Sequence, residues 1–242
     1  NVARARTDHS APFTMPLDAF DEVVRLNLHG TVYPSLVLGE AMSARGKGMT
    51  EVAVADNGLM AAVFGPLHEV EKIVQQIDGY VVVANLNSEG QSVIGGATEA
   101  VNKAMATLKE AGYTVRPLPV SHAFHTKIVA PASEPLSRVL QQLNLQPPSI
   151  PIVANVTGEF YPMGPGVLPQ MLELLSQQVA SPVQFVKGLN TLYAAGARTF
   201  VEVGPKKTLH GFVEDVLLKH GDLSALFTNS PTIGGAASFN HA

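Results

Sequence analysis

Apolar and polar positions change period at residue 59, and the change divides the chain. From 17 to 42 the apolar residues Phe20, Val23, Val24, Leu36, Val37 and Met42 recur at helical spacing. Gly30 and Pro34 interrupt them, which predicts two helices. Beyond Leu59 short apolar runs alternate with amphipathic ones. "LMAAVFG" predicts a strand, and "PLHEVEKIVQQI" a helix with Pro66 in its first turn. "YVVVANLN" and "SVIGG" predict two strands joined by the turn "SEGQ". "TEAVNKAMATLKEAG" predicts a helix capped by Thr98 and stopped at Gly112, and "TVRPLPVS" predicts a last strand. Strand, helix, strand, strand, helix, strand within 59–121 is the order of a ferredoxin-like βαββαβ unit.

The alternation continues beyond it. Helices are predicted over 131–143, 168–179, 184–195 and 207–219, and strands at "IPIVAN" and "RTFVEVG". This is α/β patterning with parallel strands. The organisation expected is an atypical helical segment 1–48, a main domain 49–231 containing the small subdomain 59–121, and a linker-like tail 232–242 rich in Gly, Ser and Ala.

Composition narrows the chemistry. The 242 residues carry 16 Lys and Arg against 20 Asp and Glu, a net charge of −4 that gives no electrostatic case for nucleic acid. The longest apolar runs are too short to span a bilayer, so no membrane partner is expected. The absence of cysteine excludes disulfides, thiolate metal sites and a cysteine nucleophile, and fits a reducing, cytoplasmic setting. "PVSHAFHTKIVAP" holds two histidines three residues apart, His122 and His125. As metal ligands they lack a third and fourth partner at recognisable spacing. The remaining readings are a base beside a nucleophile, or packed core histidines.

The motifs "LPVSHAFH" (118–125), "VANVTG" (153–158), "QQVASPVQF" (177–185) and "FVEVGPKKTLHG" (200–211) occur in this order, with "ARGKGM" (44–49), "GLMAAVFG" and "ANLNSEGQSVIGG" before or among them. From about Ala44 onward the chain resembles the malonyl-CoA:acyl carrier protein acyltransferase domains of modular polyketide synthases. The resemblance implies an α/β-hydrolase-like large subdomain, here incomplete, beside a ferredoxin-like small one. It implies malonyl transfer from malonyl-CoA to the phosphopantetheine thiol of an acyl carrier protein, in polyketide or fatty-acid synthesis, with no cofactor of the enzyme's own. His125 matches the base of the family's Ser-His dyad, and the main-chain carbonyl of Asn155 the group that orients it. Arg45 matches the partner of the malonyl carboxylate. Phe124 matches the ring that disfavours an α-methyl extender. Gln177 or Gln178 and, with them, Asn85, Asn87 and Gln91 match binding surfaces less closely, and His122 is read as a structural or substrate-pocket-lining residue.

The departure from the family is at the nucleophile. No G-x-S-x-G occurs in the 242 residues, nor does the family's GQGSQ; His9-Ser10 shares two letters with the elbow but lacks the following glycine. Residues 17–48 instead resemble a helical segment of short-chain dehydrogenases/reductases, with Asn27 and Gly30 as its N-x-x-G, although that family's cofactor turn and Tyr-x-x-x-Lys are absent. The partners expected are therefore a carrier protein, and neighbouring synthase domains or a separate N-terminal fragment bearing the serine. The alternative is a non-catalytic, acyltransferase-like structural or docking module.

Overall fold

The computed structural model describes residues 55–143, 145–204 and 206–229. The helices expected within 17–42, together with Ser10, Asn27, Gly30 and Arg45, lie outside the described residues.

The first unit is β1 (Leu59–Phe64), α1 (Leu67–Val74), β2 (Val81–Leu86), β3 (Gln91–Gly96), α2 (Thr98–Glu110) and β4 (Thr114–Pro117). Its four strands lie in the order β2-β3-β1-β4, every neighbouring pair antiparallel. The period-2 alternation of the strands sorts their side chains to two faces. Ala61, Val63, Ile94, Val81 and Val115 point to one face, where Val70 and Val74 of α1 and Ala100, Val101, Ala104 and Leu108 of α2 cover them. Both helices therefore pack on a single face, and the ferredoxin-like unit is as expected. Met60, Ala62, Ala84 and Val93 point to the other face, where Ala123, Phe124, Leu118 and Ile128 cover them. The HAFH segment is thus the second layer on this sheet.

Thr98 is not the cap of α2 but its first residue. The cap comes from outside the helix. The Asp56 carboxylate accepts from the Thr98 amide (2.8 Å), the Thr98 hydroxyl (2.6 Å) and the Gly58 amide (2.8 Å). The Thr98 bonds, with a smaller contribution from the Gly58 amide, hold this carboxyl below its ordinary value of 3.8. A depressed folded value means that the stabilisation is present above the ordinary value and is lost as pH falls through the depressed one. The thermal midpoint of Asp56→Ala should therefore lie below the parent's at neutral pH, and the gap should close in acid below about pH 4. A pH-independent gap would show that the carboxylate's charge is not involved.

After β4 the chain forms a 3₁₀-helix (Lys127–Ala132), α3 (Ser133–Gln142), α4 (Leu168–Gln177), α5 (Phe185–Ala194), β5 (Thr199–Glu202), α6 (Thr208–Leu217) and β6 (Ser224–Phe227). β5 and β6 pair in parallel. Leu189, Val213, Val216 and Leu217 form a core beneath them with Phe185, Phe200 and Ala225. Two expectations change. "IPIVAN" is not a strand: it turns back on itself, with Ala154 N–H donating to Glu159 O, Gly158 N–H to Ala154 O and Tyr161 N–H to Ile152 O, each at 2.8 Å. Gly158, at φ +66°, makes that reversal, and only the Val153–Phe160 bridge remains of sheet pairing. β6, unexpected from the sequence, supplies the partner that β5 needs.

Ile150 and Val203 are 73% and 82% exposed, and Ile152 and Val201 about half exposed. Parallel strands ordinarily have both faces covered, so β5 is apolar and open at Val201 and just beyond it at Val203. Elsewhere the two layers are joined. Val183 bridges β2, its N–H donating to Ala84 O while Leu86 N–H donates to Val183 O (both 2.9 Å). Asp215 of α6 accepts from Gly90 N–H at 3.0 Å, and Lys219 pairs with Glu89.

Candidate active site

His125 takes a backbone conformation unusual for its type, φ +60°, which costs a residue with a Cβ about 1 kcal/mol. Several bonds compensate. Its amide donates to Val179 O at 3.1 Å, and its Nδ1 lies 3.1 Å from Gln178 O. A carbonyl can only accept, so Nδ1 carries the hydrogen, and in the neutral ring the lone pair is then on Nε2. That is the tautomer a general base requires.

The two carbonyls are available for a reason written in the sequence. α4 ends at Gln177, and the last carbonyls of a helix have no donor within it. The residue four beyond Gln178 is Pro182, which has no N–H to offer. The residue four beyond Val179 is Val183, whose N–H is spent on Ala84 O of β2. The helix thus delivers two orphan acceptors to His125, and they lie at the negative end of its dipole.

The resemblance gave the orienting role to the Asn155 carbonyl; the contact shown for Nδ1 is another. The carbonyl of Asn155 accepts from Gln184 N–H at 2.8 Å, whereas Gln178, expected as a substrate-binding side chain, supplies the carbonyl that meets Nδ1. The bond shown for Asn155 is a backbone one. It fixes the segment: Gln184 N–H is tied to Asn155, and Gly188 N–H of α5 is tied to Gln184 O. His122 is buried at 7% exposure, its Nδ1 3.1 Å from Ser121 Oγ and its ring 6.0 Å from that of Phe124. Phe124 is half-buried against the β1–β2–β3 face. The structure brings His122, Phe124, His125 and Gln178 into one region. Arg45 lies outside the described residues.

Sequence reasoning missed Thr126 and Val179. Thr126 is 1% exposed, and its hydroxyl donates to Ala123 O at 2.6 Å. No sequence signal marked Val179: its carbonyl is left open because Val183 N–H is spent on Ala84 O of β2, a tertiary contact. Among the described residues no three His, Cys, Asp or Glu side chains gather as a metal site would require, and no helix is long and apolar enough to cross a membrane.

Residues 35–226 match the model of the acyl transferase domain family. The malonyl CoA-acyl carrier protein transacylase of Bacillus subtilis is 34% identical over 198 residues, which are 76% of this chain and 61% of that protein. The crystal structure of the acyltransferase domain from the second module of the salinomycin polyketide synthase aligns with a TM-score of 0.71 at 29% identity, over 84% of this chain and 46% of that one. A type II polyketide synthase acyl carrier protein in complex with its malonyl-transacylase aligns with a TM-score of 0.72 at 26% identity, over 84% and 64%. The chain spans less than two thirds of the length of each of these relatives. With a family match over most of its residues and the fold of solved acyltransferases, the chain belongs to the acyl transferase domain family.

Proposed function

We propose that the chain carries the base of a malonyl-CoA:acyl carrier protein acyltransferase, and that its nucleophile is a serine on a G-H-S-x-G elbow outside these 242 residues. The observation that carries the reading is the bond between His125 Nδ1 and Gln178 O, which commits the imidazole to the tautomer that accepts a proton at Nε2. The names of the relatives supply the substrate class.

A hydroxyl is a weak nucleophile at neutral pH. In the proposed reaction Nε2 of His125 takes the serine proton as Oγ attacks the thioester carbonyl of malonyl-CoA. The tetrahedral adduct collapses, the C–S bond breaks, and His125 returns the proton to the departing CoA thiolate. A malonyl ester remains on the serine. The phosphopantetheine thiol of the carrier protein then attacks that ester, giving its proton to His125. The new thioester forms, and the proton passes back to serine Oγ. A neutral carbonyl replaces the aspartate of a triad in holding the ring, so the imidazolium formed in each half-reaction is met by a dipole, not by a full charge. Arg45 is assigned to the malonyl carboxylate, which its planar fork suits. Phe124, packed between the sheet and His122, is assigned to the pocket wall that disfavours an α-methyl group.

The test is incubation of the chain with radiolabelled malonyl-CoA, followed by denaturation and mass measurement. No malonyl ester is expected on the chain alone. Label is expected on an added fragment of a relative that bears the G-H-S-x-G serine. A stable ester on the chain alone, lost in Ser10→Ala, would make Ser10 a displaced nucleophile. No label under either condition would overturn the reading in favour of a non-catalytic module.

A further inference from the structure

His125 holds a left-handed conformation, and the two carbonyls just beyond α4 fix its amide and its ring. The turn itself is closed by the next residue. The Thr126 hydroxyl donates back to Ala123 O at 2.6 Å and accepts from Ile128 N–H at 3.3 Å. One buried group therefore ties the chain before His125 to the start of the 3₁₀-helix after it. The Thr126 hydroxyl is excluded from water, so no solvent molecule can replace either bond.

The methyl group of Thr126 has its own seat. It rests over Gly95 of β3, where an added Cβ would lie 3.1 Å from Thr126 Cγ2, with Ala84 Cβ at 3.4 Å and Met60 Cγ at 3.5 Å around it. The missing side chain at Gly95 lets Thr126 settle onto the sheet. We propose that Gly95 and Thr126 form a positioning pair: the sheet seats the threonine, and the threonine closes the turn that presents the His125 imidazole to the Gln178 carbonyl. This rests on the reading of His125 as the base. Thr126 touches neither substrate nor the reacting atoms in this assignment. It acts through His125.

The experiment reads the imidazole itself and needs no turnover. The full chain is labelled with ¹⁵N-histidine, and the His125 ring signals are assigned by their loss in His125→Gln. In the parent the ring shifts should report the Nδ1–H tautomer, with slow exchange of that hydrogen. Thr126→Val keeps the shape and removes the hydroxyl. It should speed Nδ1–H exchange about tenfold, roughly what one lost internal hydrogen bond allows, and mix the two tautomers. Thr126→Ser restores the hydroxyl and should return both signatures to the parent's. Gly95→Ala crowds the seat and should also speed exchange. Thermal melts accompany each variant. A folded Thr126→Val with parental tautomer and exchange would overturn the proposal and leave Thr126 a packing residue. Should Thr126→Val not fold, Gly95→Ala decides: faster exchange supports the pair, and parental exchange overturns it. Failure of malonyl transfer with the Nδ1–H signature intact would count against the acyltransferase reading and not against the pair.

Discussion

Replacing His125 by alanine, in the chain assayed with a serine-bearing fragment, should lower malonyl-ester formation by a factor of about 10² to 10⁴. The size follows from the chemistry. Without a base within hydrogen-bond reach, serine Oγ must attack as a neutral hydroxyl or wait for the rare alkoxide. Members of such a dyad act as a unit, so loss of the base forfeits most of what the serine contributes. A control separates this from packing damage. Gln178→Ala keeps the main-chain carbonyl that holds Nδ1, so it should leave the orientation of the ring intact, and any loss of rate would report on the side chain alone. The measurement is the initial rate of label incorporation, with carrier-protein transfer followed separately. A His125→Ala chain that acylates its partner at the parental rate would remove His125 from the mechanism.

The small subdomain was legible because local and tertiary preferences agree there. β1, β2 and β3 are runs of Val, Ile, Ala and Met bounded by Gly and turn residues, and α1 and α2 show a clear apolar stripe. "IPIVAN" misled for a physical reason. Its composition suits a strand, but Gly158 lets the chain reverse at once, and its acceptors are met by residues 158–161. β6 was overlooked because four residues of "SALF" carry too little periodicity to stand out.

The site divides in the same way. Side chains can be read from a motif, so His125, His122 and Phe124 were found by residue type and spacing. The group that orients His125 is a main-chain carbonyl, which every residue has. Which carbonyl arrives depends on where α4 stops and on Pro182 withholding a donor. The family resemblance pointed to Asn155, whose carbonyl accepts from Gln184 N–H, while the carbonyl shown against Nδ1 is that of Gln178. The cap of α2 was missed on similar grounds. Thr98 has the right chemistry for a cap, yet Asp56, distant in sequence, reaches the helix end first.

A large loss of stability from a single methyl group is expected at Gly96. A Cβ there would lie 2.1 Å from Tyr80 O and 2.7 Å from Val81 Cα, both backbone atoms that no rotamer can move. Gly96 pairs with Leu59 of β1 on one side and Val81 of β2 on the other, so β3 cannot shift away from one neighbour without pressing on the other. Gly96→Ala should therefore cost about 3 kcal/mol, near the upper end for overpacking of a core. Gly112→Ala is the comparison. Gly112 has φ +90° but nothing within 4 Å of an added Cβ, so only backbone strain is introduced, about 1 kcal/mol. Chemical denaturation of both variants measures the difference. Equal losses would show that the β2–β3 pairing yields to a side chain without cost. The consequence extends to the site, because the same stretch of chain serves both. Tyr80 O accepts from Ala97 N–H at 2.8 Å at the entry to α2, and the Tyr80 hydroxyl accepts from Lys127 N–H at 2.7 Å, two residues beyond His125. A methyl at Gly96 that displaces Tyr80 should thus loosen the far end of the His125 turn as well, and Nδ1–H exchange of His125 should rise in Gly96→Ala but not in Gly112→Ala.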